Sequence, residues 1–139
     1  MSAPVLDVRA HFDAVKAAIA AVNAQLGNDT YDFGEVPGLD GNDGTAPRIH
    51  ALLQVERIYL PSTHGGRRAT RSSWRASARY VGTTVDEATW ALKHISTALD
   101  SRRLVVEGFT STPLQHDVTD AIARDGGLRS GLTAWTYTL

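Results

Sequence analysis

Residues 67–81 alternate in a way that suits a sheet. Their even positions include Trp74, Ala76, Ala78 and Tyr80, while Arg67, Arg71, Arg75 and Arg79 occupy odd positions, set apart by small residues. Successive side chains of a strand point to opposite faces, so the pattern describes a strand with one apolar face and one guanidinium face. A spacing of four would also align the arginines on a helix. The Ser, Thr and aromatic content and the preceding Gly65-Gly66 favour the strand. Ahead of it, residues 48–60 are rich in β-branched and apolar residues of both parities, as expected of a strand near a sheet centre. Pro61-Ser62-Thr63-His64-Gly65-Gly66 is turn material, so the two segments are expected to form a long antiparallel hairpin joined by an exposed loop at 61–66.

Helices are signalled on both sides of this hairpin. Val5, Val8, Phe12, Val15, Ile19, Val22 and Leu26 are spaced alternately by three and four, one helical stripe, with Asp7 in the first turn and Gly27-Asn28 as a stop. Thr84-Val85-Asp86-Glu87 matches a capping box, and Val85, Ala88, Leu92, Ile95 and Leu99 repeat the stripe behind it. Leu104 to Phe109 reads as a third core strand, and Leu132 to Leu139 as a terminal one. Residues 113–131 are ambiguous, with a turn of helix expected near Val118–Ala123. Residues 27–47 hold five acidic residues (Asp29, Asp32, Glu35, Asp40, Asp43), five glycines and two prolines. They read as an exposed loop after a short strand near Tyr31–Val36. The whole chain, 1–139, is expected to be a single α+β domain. Its mainly antiparallel sheet of four to five strands is flanked by two principal helices, in the order α-β-β-β-α-β-β.

Composition narrows the function. With 42% hydrophobic and 21% charged residues the chain has the means to bury a core. A net charge of −1 argues against a whole-protein grip on nucleic acid or anionic lipid, and no apolar run approaches the ~20 residues of a membrane span. No basic region precedes an apolar stretch at the N-terminus, so synthesis and assembly in a cytoplasm are expected. The absence of cysteine removes disulfides, thiolate metal sites and cysteine nucleophiles together. Charge is unevenly spread: residues 1–60 carry four basic and eight acidic side chains, residues 61–110 eight and four. Such segments can fold onto each other, or pair between copies head to tail.

No catalytic apparatus is recognisable. His11, His50, His64, His94 and His116 are scattered and form neither H-x-x-x-H nor H-E-x-x-H. Asp40-Gly41-Asn42-Asp43-Gly44 resembles a calcium loop only superficially, because the twelfth position is Ala51 rather than a bidentate Glu. Gly65-Gly66 and Gly126-Gly127 lack phosphate-loop spacing and read as turns. No metal or cofactor is expected. The Arg67/Arg71/Arg75/Arg79 row is either a solvated face, a contact with DNA phosphates, or an ion-pair seam with an acidic neighbour.

The element order, together with "LVVEGFTSTPLQ" at 104–115, "ARDGG" at Ala123–Gly127 and the aromatic terminal strand "LTAWTYTL", resembles the tail terminator proteins of long-tailed bacteriophages. The resemblance covers most of the chain, in its second half particularly, and the 27–47 loop is outside it. It implies a non-enzymatic subunit of a six-membered ring at the tail–neck junction of a virion. Such a ring caps the finished tail tube, meets the head-tail connector or stopper protein, and lets genomic DNA pass non-specifically through its lumen. The Arg row would then line the lumen or meet the acidic loop of an adjacent subunit. Edge strands, the terminal one among them, could extend sheets between neighbours. A neck stopper, connector or tail-completion protein is the nearest alternative. A host small-ligand-binding α+β protein and a DNA-binding module are further ones.

Overall fold

The computed structural model describes residues 7–58 and 72–139. In chain order the elements are α1 (Val8–Val22), α2 (Ala24–Asn28), β1 (Thr30–Tyr31), β2 (His50–Ile58), β3 (Ser73–Gly82), α3 (Val85–Leu99), β4 (Arg103–Val106), β5 (Phe109–Pro113), β6 (Gln115–Thr119), β7 (Ala123–Asp125) and β8 (Leu128–Thr138). The fold is α+β. Its main sheet has six strands rather than four or five, in the order β1-β2-β3-β8-β6, with β7 on the other end of β8. Only β1 runs parallel to its neighbour; the other pairings are antiparallel.

The alternation in β3 is realised as two faces. Trp74, Ala76, Ala78 and Tyr80 are buried together with Ala51, Leu53 and Val55 of β2 and Trp135 and Tyr137 of β8. Phe12, Val15 and Ile19 of α1 and Ala88, Ala91 and Ile95 of α3 complete this core, so both long helices lie on the same side of the sheet. Small residues at 76, 78, 88 and 91 let helix and strand approach closely around the two tryptophans. The same economy holds at Gly131, the cross-strand partner of Tyr80. The Tyr80 ring lies over it so closely that an added Cβ would fall 2.2 Å from the phenol oxygen and 2.5 Å from Cζ. That oxygen donates to the Asp120 carbonyl at 2.7 Å and pins the crossover from β6 to β7.

Four sequence expectations are corrected. The first helix stops at Val22 rather than at Gly27-Asn28, because Asn23 is extended and its side chain accepts from the Leu26 N–H, capping the separate helix α2. Leu104 to Phe109 is not one strand: Glu107 and Gly108 both have positive φ and form the two-residue turn of the β4–β5 ribbon. No helical turn forms at Val118–Ala123, where β6 and β7 instead pair with β8. The terminal strand β8 is not at an edge. It lies inside the sheet, paired to β3 over ten positions and flanked by β6 and β7.

The capping box of α3 forms with a shift. Thr84 Oγ1 accepts from the Glu87 N–H at 3.2 Å, but the Glu87 carboxylate reaches back to Thr83, accepting from both its N–H and its hydroxyl. It also holds Arg48 at 3.0 Å. These hydrogen bonds, Arg48's first and Thr83's next, pull the Glu87 carboxyl down to about 2 from the usual 4.5. A carboxyl depressed on folding stabilises the protein above its unfolded value and loses that contribution as pH falls toward the folded one. Glu87→Gln is therefore expected to cost most at neutral pH, with the gap to wild type closing between about pH 4.5 and 2 in thermal melts. A gap constant over that range would overturn this account.

Candidate assembly surfaces

The face of the sheet opposite the helices carries the charge. The β2–β3–β8 register aligns Glu56, Arg75 and Thr136 in one row, Gln54, Ser77 and Ala134 in the next, and Leu52, Arg79 and Leu132 in a third. Arg75 holds Asp117 of β6 at 3.2 Å and Glu56 at 3.7 Å, with all three side chains partly exposed. Ion pairs this exposed contribute ~1 kcal/mol at most. Arg79, flanked by two leucines, has no carboxylate partner among the described residues. Arg75 and Arg79 lie in a shallow trough of about 490 Å³, with Phe33 at its β2 side and Val118 at its β6 side. Arg67 and Arg71 lie outside the described residues.

The acidic segment is more ordered than its composition implies. The Asn42 amide donates to the Gly34 and Val36 carbonyls, and Val36 is buried as a plug beneath the loop. Asp29 accepts from Gln25 and from the Tyr31 hydroxyl. Burial first, then that hydrogen bond, pushes the Tyr31 phenol up. Asp32 pairs with Arg9 of α1 at 3.0 Å. The Glu35, Asp40 and Asp43 carboxylates have no bonded partner among the described residues. Among the described residues, then, Arg75 and Arg79 are not joined to the acidic loop within one subunit: the carboxylates on Arg75 come from β2 and β6. Phe33 alone carries the acidic segment to the rim of the arginine trough.

Sequence reasoning did not find Phe33 or Asp117. Asp117 reaches Arg75 from the irregularity in the β6–β8 register between His116 and Val118, which no local pattern announces. The described histidines are each held locally. His11 is buried, stacked 3.7 Å from the Trp74 ring, with Nδ1 2.7 Å from the Tyr137 hydroxyl, whose acidity burial suppresses. His50 bonds the Pro47 carbonyl, and burial pushes it below its ordinary value. His94 bonds the Trp90 carbonyl and His116 the Thr119 hydroxyl. Among the described residues no three His, Asp or Glu gather as a metal site, and no helix is long and apolar enough to cross a membrane.

No family model and no curated protein matches the chain. Its fold, however, is similar to that of a chain in the virion of a native gene transfer agent particle. The TM-score is 0.65 at 17% identity, over 96% of this chain and 97% of that one. What the two share is the fold. A second solved structure, which bears no functional name, is similar over 94% of this chain and 90% of that one, at 10% identity and a TM-score of 0.53.

Proposed function

We propose that this chain is a structural protein of a phage-like virion, and within it the tail terminator. Six copies form a ring at the tail–neck junction that caps the tail tube and receives the head-tail connector or stopper protein. Genomic DNA passes non-specifically through the lumen. The ring assembles in the host cytoplasm, and its function lies in interfaces rather than in a reaction. The observation that carries the reading is the near-complete mutual coverage with a gene transfer agent virion chain. The resemblance of 104–115, 123–127 and the terminal strand to tail terminators, read from the residues alone, supports the finer assignment. The charged, uncovered sheet face supplies a surface suited to contacts with other chains or to facing DNA.

The test is the mass of the purified protein with and without the tail tubes of its own particle, followed by imaging. A closed ring at one tube end, with head attachment restored to terminator-deficient tails, is the expected result. A ring seated on the head side with no affinity for tubes would replace the terminator by a neck stopper or connector. Binding to neither would overturn the virion reading.

A further inference from the structure

Among the described residues, both edges of the main sheet are open. β1 pairs with β2 only at Ala51 and Leu52. The Ala51 N–H donates to the Asp29 carbonyl, which places the odd-numbered backbone groups of β2 on the side away from β3. Those of Val55 and Arg57 continue off the same edge beyond β1 and meet no partner strand among the described residues. Beside them runs a groove of about 540 Å³, whose apolar lining of Val8, Phe12, Phe33, Leu53 and Val55 is joined by Gln54 and the Arg9–Asp32 ion pair. Two of its apolar side chains are open to solvent, with Val8 48% and Phe33 44% exposed. At the far end of the sheet β6 is exposed at every residue, with Val118 43% open to solvent, and pairs with β8 alone.

The charges at the two edges are complementary. Arg57 on β2 has no carboxylate partner among the described residues, and Asp120, just past β6, has no cationic one. One chain therefore carries an edge with a spare cation beside a partly apolar groove, and another edge with a spare carboxylate beside an exposed valine. Unpaired edges template further strands, and a heterologous contact that closes on itself leaves none unpaired.

We propose that the β2 edge is the docking site for a second copy of this chain, which adds its β6 strand beyond Leu52 and sets its Asp120 against Arg57. The sheet then runs on from subunit to subunit. This rests on the ring reading above and names the contact that closes the ring. A lone subunit keeps both edges open, and six contacts satisfy them all together.

Because the chain lacks cysteine, the contact can be read by cross-linking. Gln54→Cys and Gln115→Cys place thiols on exposed sites of the two edges. The two variants are mixed, with and without tail tubes, and treated with a short bismaleimide while native mass is followed in parallel. Cross-linked dimers containing one chain of each kind, absent from either variant alone, are expected. Arg57→Asp and Asp120→Arg should each weaken association about tenfold, with the double reversal restoring it. Oligomers that form without the mixed cross-link, or that cross-link like to like, would overturn this contact and leave the ring reading standing. A protein that stays monomeric on and off tubes would overturn both.

Discussion

Gly131→Ala is expected to lower the melting temperature by ~10 °C, a large effect for one added methyl group. The backbone at Gly131 is not in the left-handed region, so the cost is steric. The new Cβ would meet the Tyr80 phenol oxygen and Cζ well inside contact distance. Tyr80 is fully buried on the helix side of the sheet, so its ring has no empty space to enter. Overpacking of this kind costs about 1–3 kcal/mol. The displaced hydroxyl also loses its bond to the Asp120 carbonyl, worth a further ~1 kcal/mol. For a chain of this length each kcal/mol moves the midpoint by roughly 3–4 °C. Tyr80→Leu destabilises on its own but vacates the space, so Gly131→Ala should cost much less in that background. Additive melting shifts in the double variant would show that the ring-over-glycine contact is not the cause.

How much of this was legible in the residues depended on how local the signal was. The period-two alternation of 72–81 and the 3-4 stripe behind Thr84 are short-range patterns, and both appear as strand and helix with the expected face buried. The stripe of α1 was equally clear, yet its length was not, because Asn23 interrupts it with a cap whose effect depends on one backbone angle pair. Glu107-Gly108 was read through as strand although it is the turn of a ribbon. Its flanks, Leu104-Val105-Val106 and Phe109, are as apolar as a continuous strand would be. Residues 113–131 carry no clear local signal, and the sequence suggests a turn of helix near Val118–Ala123. Pairing along β8, a non-local interaction, decides the segment as strand instead. The candidate surface follows the same division. The guanidinium face was readable from parity; its partners Glu56 and Asp117 come from strands 19 and 42 residues away from Arg75, and only the folded sheet aligns them.

That alignment decides how the arginine face should be tested. Reversing Arg75 places a carboxylate between Glu56 and Asp117, so Arg75→Glu should weaken the subunit as well as any contact it makes. Arg79 gives the cleaner experiment. It has no acidic partner among the described residues, and it lies between Leu52 and Leu132 on the uncovered face. Arg79→Glu should change the subunit's stability by no more than about 0.5 kcal/mol, as surface substitutions do. In the proposed ring the same reversal would set a negative charge against an acidic neighbour or against DNA phosphate, and like charges brought together cost several kcal/mol. A penalty of only ~1.4 kcal/mol at each contact is tenfold in its equilibrium constant, and a ring would repeat the contact in every subunit. The expected outcome is an unchanged thermal melt with at least a tenfold loss of head-joined tails counted by electron microscopy, and recovery in Arg79→Lys, which keeps the charge. If Arg79→Glu particles join as wild type does, the guanidinium face is a solvated one, and the work of assembly falls to the two open sheet edges.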